Sequence, residues 1–125
     1  MKQPSVSVII PSKNSSQFIS QCLESIKNQT YKTIEIIVID NNSTDNTKEI
    51  ARKYTKLVFN KGPERSPQKN FGAKKAKGKY ILFIDSDMEL DKKVIEECIK
   101  KNAKAVIIPE ISIGEGFWTK CKALE

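Results

Sequence analysis

The chain has 125 residues, 38 % hydrophobic and 30 % charged, the profile of one soluble-type domain with no apolar run long enough to cross a bilayer and no cleavable signal pattern. Its net charge of +7 is almost wholly lysine, since Arg52 and Arg65 are the only arginines, and the absence of histidine excludes a His-based triad or base. The three scattered cysteines, Cys22, Cys98 and Cys121, lack metal-ligand spacing and read as small core or helix residues in a reducing, cytoplasmic setting.

Strand and helix patterns alternate along the chain. Val6-Ser7-Val8-Ile9-Ile10 reads as a first strand that runs into Pro11-Ser12-Lys13-Asn14. Ile19, Cys22, Leu23 and Ile26 then recur at helical spacing, predicting an amphipathic helix over about 16–28. Ile34 to Ile39 forms a second strand, released into Asp40-Asn41-Asn42-Ser43-Thr44-Asp45. Ser43 or Thr44 is suited to cap a helix with Ile50 and Ala51 on its inner face. A short strand, Leu57-Val58-Phe59, leads to a turn-rich loop, after which Ser66-Pro67 reads as an N-cap with proline at the first helical position. The apolar run Tyr80-Ile81-Leu82-Phe83-Ile84 predicts a buried strand ending in Asp85-Ser86-Asp87. Asp91 then caps a helix with Val94, Ile95, Cys98 and Ile99 inward, and Ala105 to Ile108 predicts a further strand. The stretch 113–125 starts another helix and stops within it, so a truncated piece is expected.

This order predicts a three-layer α/β/α domain with a mostly parallel sheet. In such a sheet ligands bind beyond the carboxyl ends of the strands. Three strands here release small polar or acidic residues at those ends, and a parallel sheet gathers all three clusters on one edge. Two carboxylates one residue apart, Asp85 and Asp87, are hard oxygen ligands suited to Mg²⁺ or Mn²⁺, which would bring a diphosphate with them. The bland alternative is that the pair only punctuates a turn or caps the next helix. Nucleic acid is not the expected partner, because arginines and exposed aromatics are scarce and the lysines are spread among 15 acidic residues. The cluster Lys74-Lys75-Ala76-Lys77-Gly78-Lys79 is the exception, suited to a phosphate or to an anionic membrane surface.

Four segments occur in a familiar order: 6–14, 38–45, Lys69-Asn70-Phe71-Gly72-Ala73, and 78–87. Together they resemble the nucleotide-sugar-binding half of a family 2 glycosyltransferase with the Rossmann-like GT-A fold, and the resemblance covers essentially the whole of residues 1–125 as one donor-binding domain without the acceptor half. The resemblance implies that Pro11, Ser12 and Asn14 line the nucleotide pocket and that Asp40 and Asn41 meet the base and ribose. It places Asp85 near the ribose and the metal's water shell, and makes Asp87 the direct ligand of a Mg²⁺ or Mn²⁺ that bridges the diphosphate. Lys69 would lie close to the phosphates, and Asn70 and Gly72 would let the backbone approach the donor. The implied reaction is metal-assisted transfer of a sugar from a nucleotide diphospho-sugar to a hydroxyl of a saccharide, glycan or lipid-phosphate acceptor, with inversion. Asn41 stands where many uridine-donor relatives have a second aspartate, which leaves the base open among uracil, thymine and guanine. The family's general base belongs to the missing half; Glu110, Glu115 and Glu125 are candidates only by default, so the chain alone should bind better than it transfers.

Several alternatives stand beside this reading. A non-catalytic nucleotide- or metal-binding module, or one half of a split enzyme, fits the missing acceptor half. A sugar-nucleotidyltransferase would want a Gly-rich loop after the first strand, which Pro11-Ser12-Lys13-Asn14 lacks. A receiver-like signalling domain would want an acidic pair at that same place. The uncovered face of a truncated sheet would favour a homo-oligomer, and work at the cytoplasmic membrane face is open to relatives of this kind.

Overall fold

Runs of β-branched and aliphatic residues, almost free of breakers, form the centre of the molecule. The computed structural model describes residues 5–62 and 65–100, together with two short strands at 106–107 and 122–123. β1 (Val6–Ser12), β2 (Ile34–Asp40), β3 (Val58–Asn60) and β4 (Tyr80–Phe83) form one wholly parallel sheet in the order β3-β2-β1-β4. β1 is buried along its whole length and pairs with β2 from Val6↔Ile34 to Ser12↔Asp40.

The period-two alternation of the strands sorts their side chains onto two faces. Val6, Val8, Ile10, Ile36 and Val38 belong to one core with Ile19, Cys22, Leu23 and Ile26 of α1 (Ile19–Lys27), Ala51 of α2 (Thr47–Arg52), and Val94 and Ile95 of α4 (Val94–Lys100). Ile9, Ile37 and Ile39 point the other way and meet Phe71, Ala73 and Ala76 at α3 (Arg65–Lys75). The three-layer α/β/α arrangement is therefore present. Fully buried isoleucines such as Ile9 and Ile37 each hold it by about 2–5 kcal/mol against truncation to alanine. Gly72 lets α3 lie close on the sheet: a Cβ there would stand 2.5 Å from Ile9 Cγ2 and 3.3 Å from Ile39 Cγ1. Helix–sheet packing by itself calls for glycine there.

Several local expectations need correction. The strand expected at 105–108 is β5 (Val106–Ile107), which pairs antiparallel with β6 (Lys122–Ala123) in a separate two-stranded sheet. Lys122–Ala123 is thus strand where a helix is expected; residues 113–121 lie outside the described residues. β4 is not a buried strand. It forms one edge of the four-stranded sheet, with Ile81 45 % and Phe83 42 % exposed, because no other element of the described residues covers that end of the face. α2 starts at Thr47, and Ser43 and Thr44 do not cap it because they bond to Asp40 and Asn14 instead. Asp45 serves that helix, accepting from the Thr47 N–H at 3.0 Å and from the Thr47 hydroxyl. α3 begins at Arg65, one residue before the expected cap. Asp91 does act at α4, its Oδ1 accepting from Lys93 N–H at 3.3 Å. Cys22 is a free, buried thiol, whereas Cys98 is disulfide-bonded, a state that scattered spacing does not predict. Cys121 lies outside the described residues.

Candidate functional site

Register brings the loop-bearing ends of the strands side by side. Ser12 pairs with Asp40 across β1 and β2, and Asp40 with Asn60 across β2 and β3. The β1–β4 ladder closes at Ile9↔Phe83, so Pro11, which has no N–H to give, sits past the last paired residue of β4.

Asp40 is fully buried, a costly place for a carboxylate unless its oxygens are bonded. Its Oδ1 accepts from the hydroxyls of Ser12 (2.8 Å) and Ser43 (2.6 Å), and its Oδ2 accepts from Ser43 N–H (2.8 Å). These charge-assisted bonds turn the chain out of β2 and bind it to the end of β1. Asn14 binds the same loop from the other side. It takes a left-handed φ of 48°, donates its N–H to Ser43 Oγ at 2.8 Å and accepts Thr44 N–H on its Oδ1 at 2.8 Å. Asp45 receives Ser16 N–H at 3.2 Å, and the hydrogen bonds from Thr47 and Ser16 hold its exposed carboxyl down at about 2.

Asn41 follows, almost buried, with its N–H bonded to Ser12 O at 2.8 Å. Asn42 takes a left-handed φ of 49°, and its N–H donates to Asn60 Oδ1 at 3.0 Å; Lys61 N–H donates to Asp40 O at 2.7 Å. The ends of β2 and β3 are thereby clamped together beside Asn41.

The acidic turn leaves β4 on the other side of β1. Ile84 is still tied to the sheet by its N–H on Ile9 O at 3.0 Å, and Met88 N–H closes the turn on Asp85 O at 3.0 Å. Asp85 is half-buried, Ser86 is buried and Asp87 is exposed. The Ser86 hydroxyl shares a 2.7 Å hydrogen bond with that of Ser15, so the turn is fastened to the loop after β1. Behind it, the Cys22 thiol donates to Asp85 O at 3.6 Å. Burial pushes that thiol up to about 12, with further contributions from the charges of Asp87, Asp85 and Glu89. Both aspartates therefore project their field into one small region.

A hard divalent cation fits this donor set. Two carboxylates, one of them exposed, would supply part of a shell that Mg²⁺ or Mn²⁺ would complete with water and other oxygens. Among the described residues no group of three or more acidic or cysteine side chains forms a closed metal cage. Lys69 lies half-buried on the β4 side of α3, its Nζ 5.6 Å above the Phe83 ring, and Asn70 is exposed on the same helix. Of the exposed lysines at 74, 75, 77 and 79, Lys75 holds its Nζ 5.4 Å from the ring centroids of Phe59 and Phe71, whereas residues 77 and 78 lie at the opposite end of the strands, where Lys77 N–H bonds Glu35 and Gly78 N–H bonds Ser7 Oγ. A groove of about 410 Å³ lined by residues that include Tyr31, Ile34, Glu35 and Tyr54 lies near that same end, away from the acidic turn.

Sequence reasoning passes over two residues that shape the site. Gln68 is 2 % exposed, and its Nε2 donates to Ile39 O (2.8 Å) and Ser12 O (3.3 Å), fixing α3 to the ends of β1 and β2. Ser15 is the other. The signal for Gln68 was an uncharged polar residue four positions before Gly72, on the helix face turned to the sheet.

Residues 7–122 match the family model described as Glycosyl transferase family 2. The chain belongs to that family. It is 36 % identical over 95 residues to the GalNAc(5)-diNAcBac-PP-undecaprenol beta-1,3-glucosyltransferase of Campylobacter jejuni, covering 70 % of this chain and 31 % of that protein. Its fold resembles S. aureus TarS 1–349 in complex with UDP-GlcNAc (TM-score 0.67, 31 % identity, 77 % of this chain and 30 % of that one). It also resembles the mannosyltransferase PcManGT of Pyrobaculum calidifontis in complex with GDP-Man and Mn²⁺ (TM-score 0.73, 22 % identity, 79 % and 32 %), a likeness of fold alone. This family 2 chain therefore has the GT-A fold. It spans about a third of each of these proteins, and between 14 % and 38 % of the length of other curated glycosyltransferases it matches. Among the described residues no helix is long and apolar enough to cross a membrane. The default base candidates Glu110, Glu115 and Glu125 lie outside the described residues.

Proposed function

We propose that this family 2 chain is the donor-binding portion of a metal-assisted, inverting glycosyltransferase that takes a nucleotide diphospho-sugar. The observation that carries the proposal is the fastening of three polar loops, after β1, β2 and β4, into one edge by Asp40, Asn14 and the Ser15–Ser86 bond. That the S. aureus protein, 31 % identical, was solved in complex with UDP-GlcNAc supports the donor class.

Pro11, Ser12 and Asn14 form the floor and wall of the nucleotide pocket. Asn41 offers both a donor and an acceptor to the base edge. Asp40, with its oxygens already bonded to Ser12 and Ser43, presents the nucleoside loop at the right height. Lys69 supplies positive charge towards the diphosphate, and Asn70 flanks it on the exposed side of the helix. Asp87 is the metal ligand and Asp85 orders the water around it and the ribose. A cation held by Asp87 would neutralise charge on the leaving diphosphate. The acceptor is a hydroxyl of a saccharide, glycan or lipid phosphate, brought by a part of the enzyme other than these loops.

Calorimetric titration with UDP, GDP and dTDP, with and without Mn²⁺, tests the proposal. Binding of one diphosphate that strengthens with Mn²⁺ is expected. Failure of all three to bind, with the chain folded, overturns it.

A further inference from the structure

Gly62 lies against the side chain of Asn41, and it has no φ in the left-handed region that would call for a glycine backbone. What the position needs is the missing side chain. A Cβ at Gly62 would stand 2.1 Å from Asn41 Oδ1, 3.0 Å from Asn41 Cγ and 3.4 Å from Asn42 Nδ2. A contact of 2.1 Å cannot be relieved by small adjustment, so one of the two side chains must move.

Asn41 has little freedom to move as a backbone. Its N–H is held by Ser12 O, Asp40 before it is held by the Ser12 and Ser43 hydroxyls, and Asn42 after it is held by Asn60. On the other side Lys61, the residue before Gly62, is held by its N–H on Asp40 O. With Asn41 and Lys61 held, a methyl group at position 62 would meet the flexible end of the Asn41 side chain and turn its carboxamide away from its present orientation. The rotamer of Asn41 is thus set by an empty space on a neighbouring strand end.

We infer that Gly62 is a positioning residue for base recognition: its bare α-carbon leaves the Asn41 carboxamide the one orientation in which its N–H₂ and C=O meet the nucleobase. The inference rests on the reading of Asn41 as the base contact. A carboxamide discriminates bases by which edge presents donor and which acceptor, so turning it degrades selectivity as well as affinity.

The test compares Gly62→Ala, Asn41→Ala and the double variant by calorimetry with UDP, GDP and dTDP and, as a base-free probe, pyrophosphate, all with Mn²⁺. Gly62→Ala should weaken the preferred diphosphate about tenfold, the loss of one good hydrogen bond, and flatten the preference among bases. Pyrophosphate binding should be unchanged, and the double variant should be no worse than Asn41→Ala. A purely structural role would weaken all four probes alike and would overturn the inference. Wild-type affinity and preference in Gly62→Ala, beside a weakened Asn41→Ala, overturns the inference alone. Wild-type behaviour of Asn41→Ala overturns the base-contact reading and the inference with it. If Gly62→Ala fails to fold, the double variant, which lacks the clash, should fold and bind like Asn41→Ala; its failure to fold would show that Gly62 is needed for another contact and would overturn the inference.

Discussion

The hydroxyls of Ser15 and Ser86 share a buried hydrogen bond of 2.7 Å, joining the loop after β1 to the acidic turn after β4. Ser15 is also held by its N–H on Thr47 Oγ1 at 2.8 Å. Through this pair the start of α2, the loops after β1 and β2 and the turn bearing the two aspartates form one hydrogen-bonded assembly.

Ser86→Ala is expected to cost about 1 kcal/mol of stability, the usual net worth of one buried hydrogen bond. Its larger effect should be on the increment that Mn²⁺ adds to nucleotide binding, since the turn bearing Asp87 loses its tie. Ser15→Ala should do the same, and the double variant little more. Thermal melts and titrations with and without Mn²⁺ check this. Additive losses would show that the two hydroxyls act separately.

Asp87→Ala and Asp40→Ala should separate cleanly. Asp87 is exposed, so its removal should change stability by less than about 0.5 kcal/mol while abolishing the metal-dependent part of nucleotide binding. Asp40 is buried and accepts three hydrogen bonds, so its removal should cost about 3 kcal/mol by leaving Ser12 and Ser43 without their partner. Urea denaturation beside calorimetry distinguishes them. A stable Asp40→Ala protein would contradict the loop-holding role.

Asp45 gives the chain an acid-sensitive contact. Its folded carboxyl is lowered from 3.8 to about 2 by hydrogen bonds from Thr47 and Ser16. A depressed folded value means stabilisation that is fully present above the unfolded value and is lost as pH falls from about 4 towards 2. Asp45→Asn should therefore lose less stability than the wild type between pH 5 and pH 2, measured by urea unfolding, since other carboxylates titrate equally in both. Parallel pH curves would contradict it.

Cys22 should be inert in the folded chain. Burial raises its thiol from 9.0 to about 12, so it remains protonated where ordinary cysteines react. Its contribution to stability is complete below about 9 and declines as pH rises towards 12, because only the unfolded thiol ionises in that window. Iodoacetamide labelling followed by mass spectrometry at pH 8.5, with and without urea, should modify Cys22 only upon unfolding. Rapid labelling of the native protein would contradict this.

The parallel sheet, its two faces and the gathering of three loops on one edge were legible in the sequence because each strand is a compact β-branched run ending abruptly in small polar residues. Cap positions were not, because Ser43 and Thr44 have helix-capping chemistry but are claimed by Asp40 and Asn14, about thirty residues of chain apart in the second case. The buried assignment of β4 failed for a related reason: an apolar run says that a strand wants cover, not that a neighbour provides it, and Ile81 and Phe83 lie at an edge. The role of Gly62 was hidden as well, since a glycine in a turn-rich loop looks like backbone freedom until its distance to Asn41 is known.

The sequence separations across the site have a consequence for assembly. The Asn14–Thr44 contact closes 30 residues, whereas Ser15–Ser86 closes 71. The longer closure costs about 0.8 kcal/mol more in chain entropy, and no part of it can form before residue 86 exists. During synthesis both partners of the Asn14–Thr44 contact are therefore present while the acidic turn is still to come. The Ser15–Ser86 tie, which fastens the turn of Asp85 and Asp87 to the loop after β1, is thus the later of the two that a growing chain can make.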